Sequence, residues 1–216
     1  MAMSPRRSVG DTRRTRERIV DRAVALASAE GFDAVTLGRL ASQVEMSKAG
    51  VIGHFGSMES LQLAALERAV ESFRRQVWEP VADEPAGYAR LLALCEAWLT
   101  YVGGDEYVGG CFTSAELSSF ESVRAAVAEA MSLWRAVIRN EAKAAIDAGE
   151  LAASQDPRDI AFQLFGMVLA AGQAQRLGID PDALDRARRA VRRVLTTPKG
   201  APDATTRPHR PRRRRA

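Results

Sequence analysis

Apolar residues recur along this chain at spacings of three and four, and no stretch of useful length alternates apolar with polar. That pattern predicts helices almost throughout. A first helix is expected from about Thr15 to Glu30, with Ile19, Ala23, Leu26 and Ala27 on its inner face, Gly31 as a left-handed cap and Phe32 folded back onto the last turn. Thr36 caps a short helix over "LGRLASQV", and after a three-residue turn Ser47 caps another over "KAGVIGHF". Longer helices follow: Met58 to Trp78 before Pro80, "AGYARLLALCEAWLTYV" before "GGDEYVGG", a short piece around "SAELSSF", and a long one ending at Gly149. The last two open on Asp-Pro, at Asp156 and Asp180, with aspartate as cap and proline at the first helical position. The expected fold is all-α, about nine helices, in which short connections pack neighbours antiparallel in a bundle.

The two ends break the pattern. Residues 1–12 carry no periodic apolar face and residues 198–216 are rich in Pro and Arg, so both are expected to be disordered, with a small helical domain at 13–57 and a larger one at 58–197 between them. Residues 1–18 hold six arginines against Asp11 and Glu17, a net +4, and residues 199–216 hold Lys199 and six arginines against Asp203, a net +6. The whole chain is only +4, so the part between the ends is at −6. An acidic body with basic ends points to a polyanionic partner, most simply nucleic acid. At 216 residues and 46% hydrophobic content the chain can bury a sizeable core. No apolar run reaches the roughly 18 residues of a membrane span and no secretory block opens the sequence, so a cytoplasmic address and no membrane partner are expected.

Reactive side chains are few. The cysteines are Cys95 and Cys111 and the histidines His54 and His209, without metal-ligand spacing, so neither metal nor cofactor is expected. The cysteines read as buried free thiols rather than a redox pair, since nothing beside either is arranged to lower a thiol pKa. An enzyme would need Cys111 in "GGCF" as nucleophile with His54 as base, and no third group orients them, so no catalytic residue is assigned.

The pair of short helices obeys the packing rules of a helix-turn-helix. Ala41 falls where the two helices cross and must be small, while Leu40, Val44, Val51 and Phe55 close over a core with the first helix. The remaining face is Lys48, Ala49, Gly50, Ile52, Gly53 and His54, the face that such a unit lays in the major groove of DNA. Gly50 and Gly53 weaken a helix by about 1 kcal/mol each relative to alanine, and on an outward face they would let its backbone approach the duplex.

The stretch "TRERIVDRAVALASAEGFDAVTLGRLASQVEMSKAGVIGHFGSMESLQLAAL" resembles the N-terminal DNA-binding domain of the tetracycline-repressor (TetR/AcrR) family of bacterial transcription regulators, over residues 13 to 66. Its elements are "A-x-E-G-F-x-A-V-T", "L-A", "S-K", "H-F" and "S-x-E-S-L", in order and correctly spaced. The rest resembles the family in helix count, length and order, with "GGCF" similar to one group of its C-terminal domains. The resemblance implies a homodimer that binds double-stranded DNA at a palindromic operator and is released when a small-molecule effector enters residues 58–197. It places DNA contacts at Arg13, Arg14, Thr36, Arg39, Ser47, Lys48, Ala49, Gly50, Ile52, Gly53 and His54. Departures from the family pattern are Glu45 where a turn glycine is usual, Gly38 where an arginine is frequent, Ile52 in place of an aromatic residue and Met58 in place of a lysine. A basic arm with Arg6, Arg7, Arg13, Arg14 and Arg16 would compensate for these lost anchors through backbone or minor-groove contact.

For the effector pocket the candidates are Cys95, Trp98, Leu99, Tyr101, Phe112, Met131, Trp134, Phe162, Phe165 and Met167, with Glu96 or Glu116 to orient a cationic ligand. For the dimer seam they are Gly166, Ala170 and Gln173 on one helix, where Ala171 and Gly172 add to the small residues, and Leu184, Ala187 and Val191 on the next. Arg188, Arg189, Arg192 and Arg193 read as a solvated face. The competing reading is the same fold with weakened specific recognition, binding nucleic acid non-specifically through its basic termini.

Overall fold

The computed structural model describes residues 9–104 and 118–196. Among them are eight α-helices: α1 (Val9–Glu30), α2 (Leu37–Gln43), α3 (Lys48–Ile52), α4 (Met58–Phe73), α5 (Tyr88–Gly103), α6 (Glu121–Asp147), α7 (Pro157–Arg176) and α8 (Ala183–Leu195). The architecture is all-α, as the periodicity predicts. Most of the expected "SAELSSF" piece, the "GGCF" motif with Cys111 and Phe112, Glu116, Arg6, Arg7 and the tail 198–216 lie outside the described residues.

Local chemistry sets the helix ends. Thr36, Ser47 and Ser57 each sit in extended conformation and accept a backbone N–H three residues on, from Arg39, Gly50 and Ser60. Each such cap stabilises its helix by about 1 kcal/mol, which matters most for α3, only five residues long. Asp156 caps α7 through the Arg158 N–H, with Pro157 in the first turn. The second Asp-Pro behaves differently from expectation: α8 starts at Ala183, Asp182 holds the cap position, and Asp180 instead accepts the Asp182 N–H. α1 starts at Val9 rather than near Thr15, so residues 9–12, expected in a disordered arm, are helical. Asp11 in that first turn suits the helix dipole, and the Thr15 hydroxyl donates to the Asp11 carbonyl.

Two hydrophobic cores organise these elements. The first gathers Ile19, Ala23, Leu26 and Ala27 of α1, Leu40 and Ala41 of α2, Val51 of α3, and Leu61 and Ala65 of α4. Val123 and Val127, from the start of α6, complete it. The second lies among α5 to α8, with Leu91, Trp98 and Leu99 of α5, Ile138 of α6, Leu164 and Val168 of α7, and Val191 of α8 buried. α4 joins the two regions and ends in a π-helical turn, Arg74–Trp78, followed by a 3₁₀ turn, Glu79–Val81.

Two carboxylates, Glu141 buried and Glu150 exposed, position α5. Gly87, at φ 105°, precedes it, and its N–H donates to Oε2 of Glu141 at 2.9 Å while the Tyr88 N–H donates to Oε2 of Glu150 at 2.9 Å. Arg90 reaches the other Glu141 oxygen at 3.2 Å. Two orphan donors of the first turn are thereby satisfied by side chains from beyond the helix. Among the described residues, no helix is long and apolar enough to cross a membrane.

Candidate nucleic-acid interface and effector cavity

The helix-turn-helix closes around Ala41, which is 6% exposed, with Leu40 and Val51 fully buried beside it. Its turn passes through Glu45 at φ 54°, so a residue with a Cβ holds the left-handed conformation that glycine would adopt without penalty. Arg18 braces this turn by donating to the Val44 carbonyl at 3.2 Å. Arg16 lies over the Phe55 ring, 4.9 Å from its centroid, so it stacks on the helix-turn-helix and is not part of a loose arm.

Thr36, Ser47, Lys48 and Ala49 share an exposed surface with Gly53, and Ile52 and His54 are half-buried at its edge. The Lys48 side chain lies beside Gly38, where an added Cβ would sit 3.7 Å from its Cε, in ordinary contact. α3 stops at Ile52, so Gly53 and His54 belong to the following turn and not to the helix interior. Gly50 also differs from the expectation of a bare outward face: a Cβ there would fall 3.1 Å from Ser47 Oγ and 3.3 Å from Met46 Cε. Its smallness serves the cap that starts α3. Arg39, itself exposed, forks onto Glu30 at 2.8 and 2.6 Å. That fork raises the Arg39 pKa and lowers that of Glu30. Arg13 pairs with Glu17 at 2.9 Å and Arg14 with Asp11 at 3.8 Å, and both arginines remain more than 80% exposed.

A cavity of about 700 Å³ opens between α4 and α6. Trp98, Met131, Trp134 and Phe165 line it, as the sequence suggests, and they are joined by Phe73 and Trp78 from the end of α4. Phe73 packs edge-on to Trp134 and Trp98, at centroid distances of 4.8 and 6.3 Å, and Trp98 meets Phe165 at 5.1 Å. Among the described residues Trp134 Nε1 is a buried donor without an acceptor. Leu66, Val70, Ala126 and Ala130 complete the apolar wall, with Glu67, Glu71 and Glu129 also on the lining.

The other pocket candidates lie elsewhere. Cys95 and Leu99 are sealed in the second core, and burial, with the Glu96 charge second, pushes the Cys95 thiol up to about 12. Tyr101 packs against Phe73, 5.2 Å between centroids, without reaching the cavity, and Met167 packs on the second core. Phe162 is 68% exposed, because it falls on the outer side of α7. Glu96 binds Arg188 at 3.2 Å and Arg192 at 2.6 Å, tying α5 to α8; those two arginines are therefore engaged, not simply solvated.

Polar contacts also join α4 and the start of α6 to the helix-turn-helix unit. Gln62 of α4, 3% exposed, donates to the Phe32 carbonyl at 3.0 Å and accepts from the Ser118 hydroxyl at 2.8 Å. Arg124 of α6 donates to the Ser118 carbonyl at 2.7 Å, and the Ser119 N–H reaches Asp33 at 3.0 Å. Ser122 also donates to Glu59.

The sequence matches the "Bacterial regulatory proteins, tetR family" description over residues 19–65 and the "Tetracyclin repressor-like, C-terminal domain" description over residues 87–191. The chain belongs to the tetR family. A comparison with curated proteins found no match. The tetR-type fold recurs in a TetR transcriptional regulator from Chloroflexus aurantiacus, 23% identical, covering 85% of this chain and 94% of that one, with a TM-score of 0.75. It recurs in AibR in complex with isovaleryl coenzyme A and operator DNA, 21% identical over 76% and 95% of the two chains, TM-score 0.63. FadR from Bacillus subtilis in complex with stearoyl-CoA is similar at 14% identity, 83% and 97% coverage and TM-score 0.69.

In this tetR-family chain the expected seam residues divide. Gly166, Ala170 and Gln173 are exposed on α7, in line with Phe162 and Leu177. Ala187 and Val191 instead face their own core, at 6% and 1% exposure, and Leu184 packs against Gly103. Amphipathicity alone could not tell a core-facing stripe from a partner-facing one. Phe73, Val70 and Trp78 were missed as cavity residues because their helix reads as a connector. The signal was present: Val70, Phe73 and Trp78 are more apolar than a connector surface needs.

Proposed function

We propose that this tetR-family protein is a cytoplasmic, ligand-responsive repressor that binds a palindromic operator as a homodimer and releases it when a small apolar molecule enters the cavity between α4 and α6. One observation carries this reading. Both walls of the cavity continue into the core of the helix-turn-helix: α4 supplies Leu61 and Ala65 to that core and Leu66 and Val70 to the cavity, while α6 supplies Val123 and Val127 to the one and Ala126 and Ala130 to the other. A ligand that separates α4 from α6 would strain the head, and by linkage the factor by which ligand weakens DNA binding is the factor by which DNA weakens ligand binding. The Gln62, Ser118 and Phe32 contacts transmit the same displacement.

The dimer face in this reading is the outer stripe of α7, where Phe162, Gly166, Ala170, Gln173 and Leu177 present large apolar ends around a small-residue centre. Thr36, Ser47, Lys48 and Ala49 face the groove, with Ile52, Gly53 and His54 at its edge and Arg13 and Arg14 along the backbone. Selection of bound sequences from a random duplex pool by the full-length protein tests it. An enriched palindrome is expected, with two half-sites about one helical turn apart. Tight binding with no enriched sequence, falling steeply with salt, would establish the non-specific binder instead.

A further inference from the structure

The cavity has a charge as well as a shape. Its body is aromatic, built from Phe73, Trp78, Trp98, Trp134 and Phe165. Its charged lining residues are Glu67, Glu71, Glu129 and Arg74. All four are exposed, and among the described residues none of the three glutamates is paired with a cation, whereas Arg74 is bound to Glu79 at 2.7 Å. Arg135 sits over Phe165 at 5.8 Å but does not line the cavity. An entering molecule thus meets three unneutralised carboxylates, one guanidinium already occupied, and beyond them a set of aromatic side chains.

Resting on the reading of this cavity as the effector site, we propose that the effector is a lipophilic cation: an apolar body carrying one delocalised or quaternary positive charge. Aromatic rings attract a cation through the negative potential of their faces, most strongly where water is excluded. The glutamates add a longer-range attraction that raises the local concentration of cations and lowers that of anions, and salt screens it. The same charges oppose acyl-coenzyme A thioesters, which carry several negative phosphates and are the ligands of the similar AibR and FadR structures. Here the fold is shared while the mouth selects the opposite sign.

Two ions of nearly the same shape and apolar surface but opposite charge isolate that selection. Binding of tetraphenylphosphonium, tetraphenylborate and the uncharged triphenylphosphine oxide to the full-length protein would be followed by calorimetry and by displacement of bound operator. The expected result is tetraphenylphosphonium at least about tenfold tighter than tetraphenylborate at low salt. The gap should shrink to within about threefold in Glu67→Gln/Glu71→Gln/Glu129→Gln, a variant confined to exposed positions, and narrow likewise at high salt. Equal affinity of the two ions, or preference for the borate, overturns the charge assignment while leaving the cavity as the effector site. If all three bind equally well to wild type and to Ala130→Trp, which fills the cavity, the cavity itself is not the site and both readings fall. Binding of none of the three overturns the lipophilic-cation assignment and leaves the cavity reading standing.

Discussion

Arg39 and Glu30 meet as a two-pronged fork, with Nη1 2.8 Å and Nη2 2.6 Å from the two carboxylate oxygens. Arg39 lies in the first turn of the second helix of the DNA-binding unit, so the carboxylate occupies the guanidinium where a phosphate would otherwise compete for it. The pair is exposed, so solvent screens it and it contributes little to stability. Its effect on DNA is larger. Glu30→Gln should raise operator affinity several-fold and steepen the dependence on salt by about one counterion, as expected for one further phosphate contact. Filter binding across a salt series measures both. An unchanged slope would mean that Arg39 does not reach the duplex.

Glu45 holds φ 54° in the helix-turn-helix turn, a conformation costing a side-chain-bearing residue about 1 kcal/mol. Glu45→Gly should therefore raise the urea midpoint by a corresponding amount with an unchanged m-value, because Glu45 is exposed and loses no packing. A lower midpoint would show that the unfolded-state entropy of glycine outweighs the relieved strain.

Gly87 represents the opposite case. A Cβ there would lie 2.6 Å from Glu150 Oε2 and 3.3 Å from the Ala145 nitrogen, at a φ of 105°. Gly87→Ala should cost about 1–3 kcal/mol by strain and by loosening the carboxylates that cap α5. Thermal unfolding of the variant checks this, and a change below about 0.5 kcal/mol would contradict it.

Cys95 should be chemically silent in the folded protein. Its thiol is fully buried and pushed up to about 12, so almost no thiolate exists at pH 8. In a Cys111→Ser background, labelling by a thiol reagent should occur only as fast as the protein unfolds. The linkage has a definite sign: above the ordinary thiol range the unfolded state ionises while the folded one does not. Stability should accordingly fall with rising pH between about 9 and 12. Labelling at the rate of a free thiol would refute the burial.

Phe162 is two-thirds exposed on the outer stripe of α7. Phe162→Glu should leave the fold intact and convert dimer to monomer in sedimentation velocity, with loss of operator binding by at least tenfold. A dimer of unchanged stability would move the seam elsewhere.

How much of this was legible in the sequence depended on the range of the interactions concerned. Caps at Thr36, Ser47 and Asp156 involve neighbours three residues apart or closer, and the helix-turn-helix core is set by short-range periodicity. The left-handed turn at Glu45 followed instead from the family resemblance, which puts a glycine at that place. By contrast, Glu96 meeting Arg188 and Arg192 spans some ninety residues, and nothing local distinguishes that carboxylate from one lining a pocket. Phe162 and Phe165 illustrate the remaining difficulty: three residues apart on one helix, one enters the cavity and the other faces outward. Composition identifies both as apolar, and only the packing of α7 against α5 and α6 separates them.

The closing of the head's core by Val123 and Val127 also governs how this protein could be recombined. A boundary drawn after Ser57 follows the sequence motif but cuts through a packed interior, because α4 and the first turns of α6 supply part of the wall. A head grafted onto another body would arrive with an open side, and the body left behind would expose Val123 and Val127 to water. Exchange of operator preference between such regulators is thus better attempted by altering the surface of α2 and α3, leaving Gln62, Ser118 and the two valines in place. In this chain the unit that reads DNA and the unit that folds are not the same length.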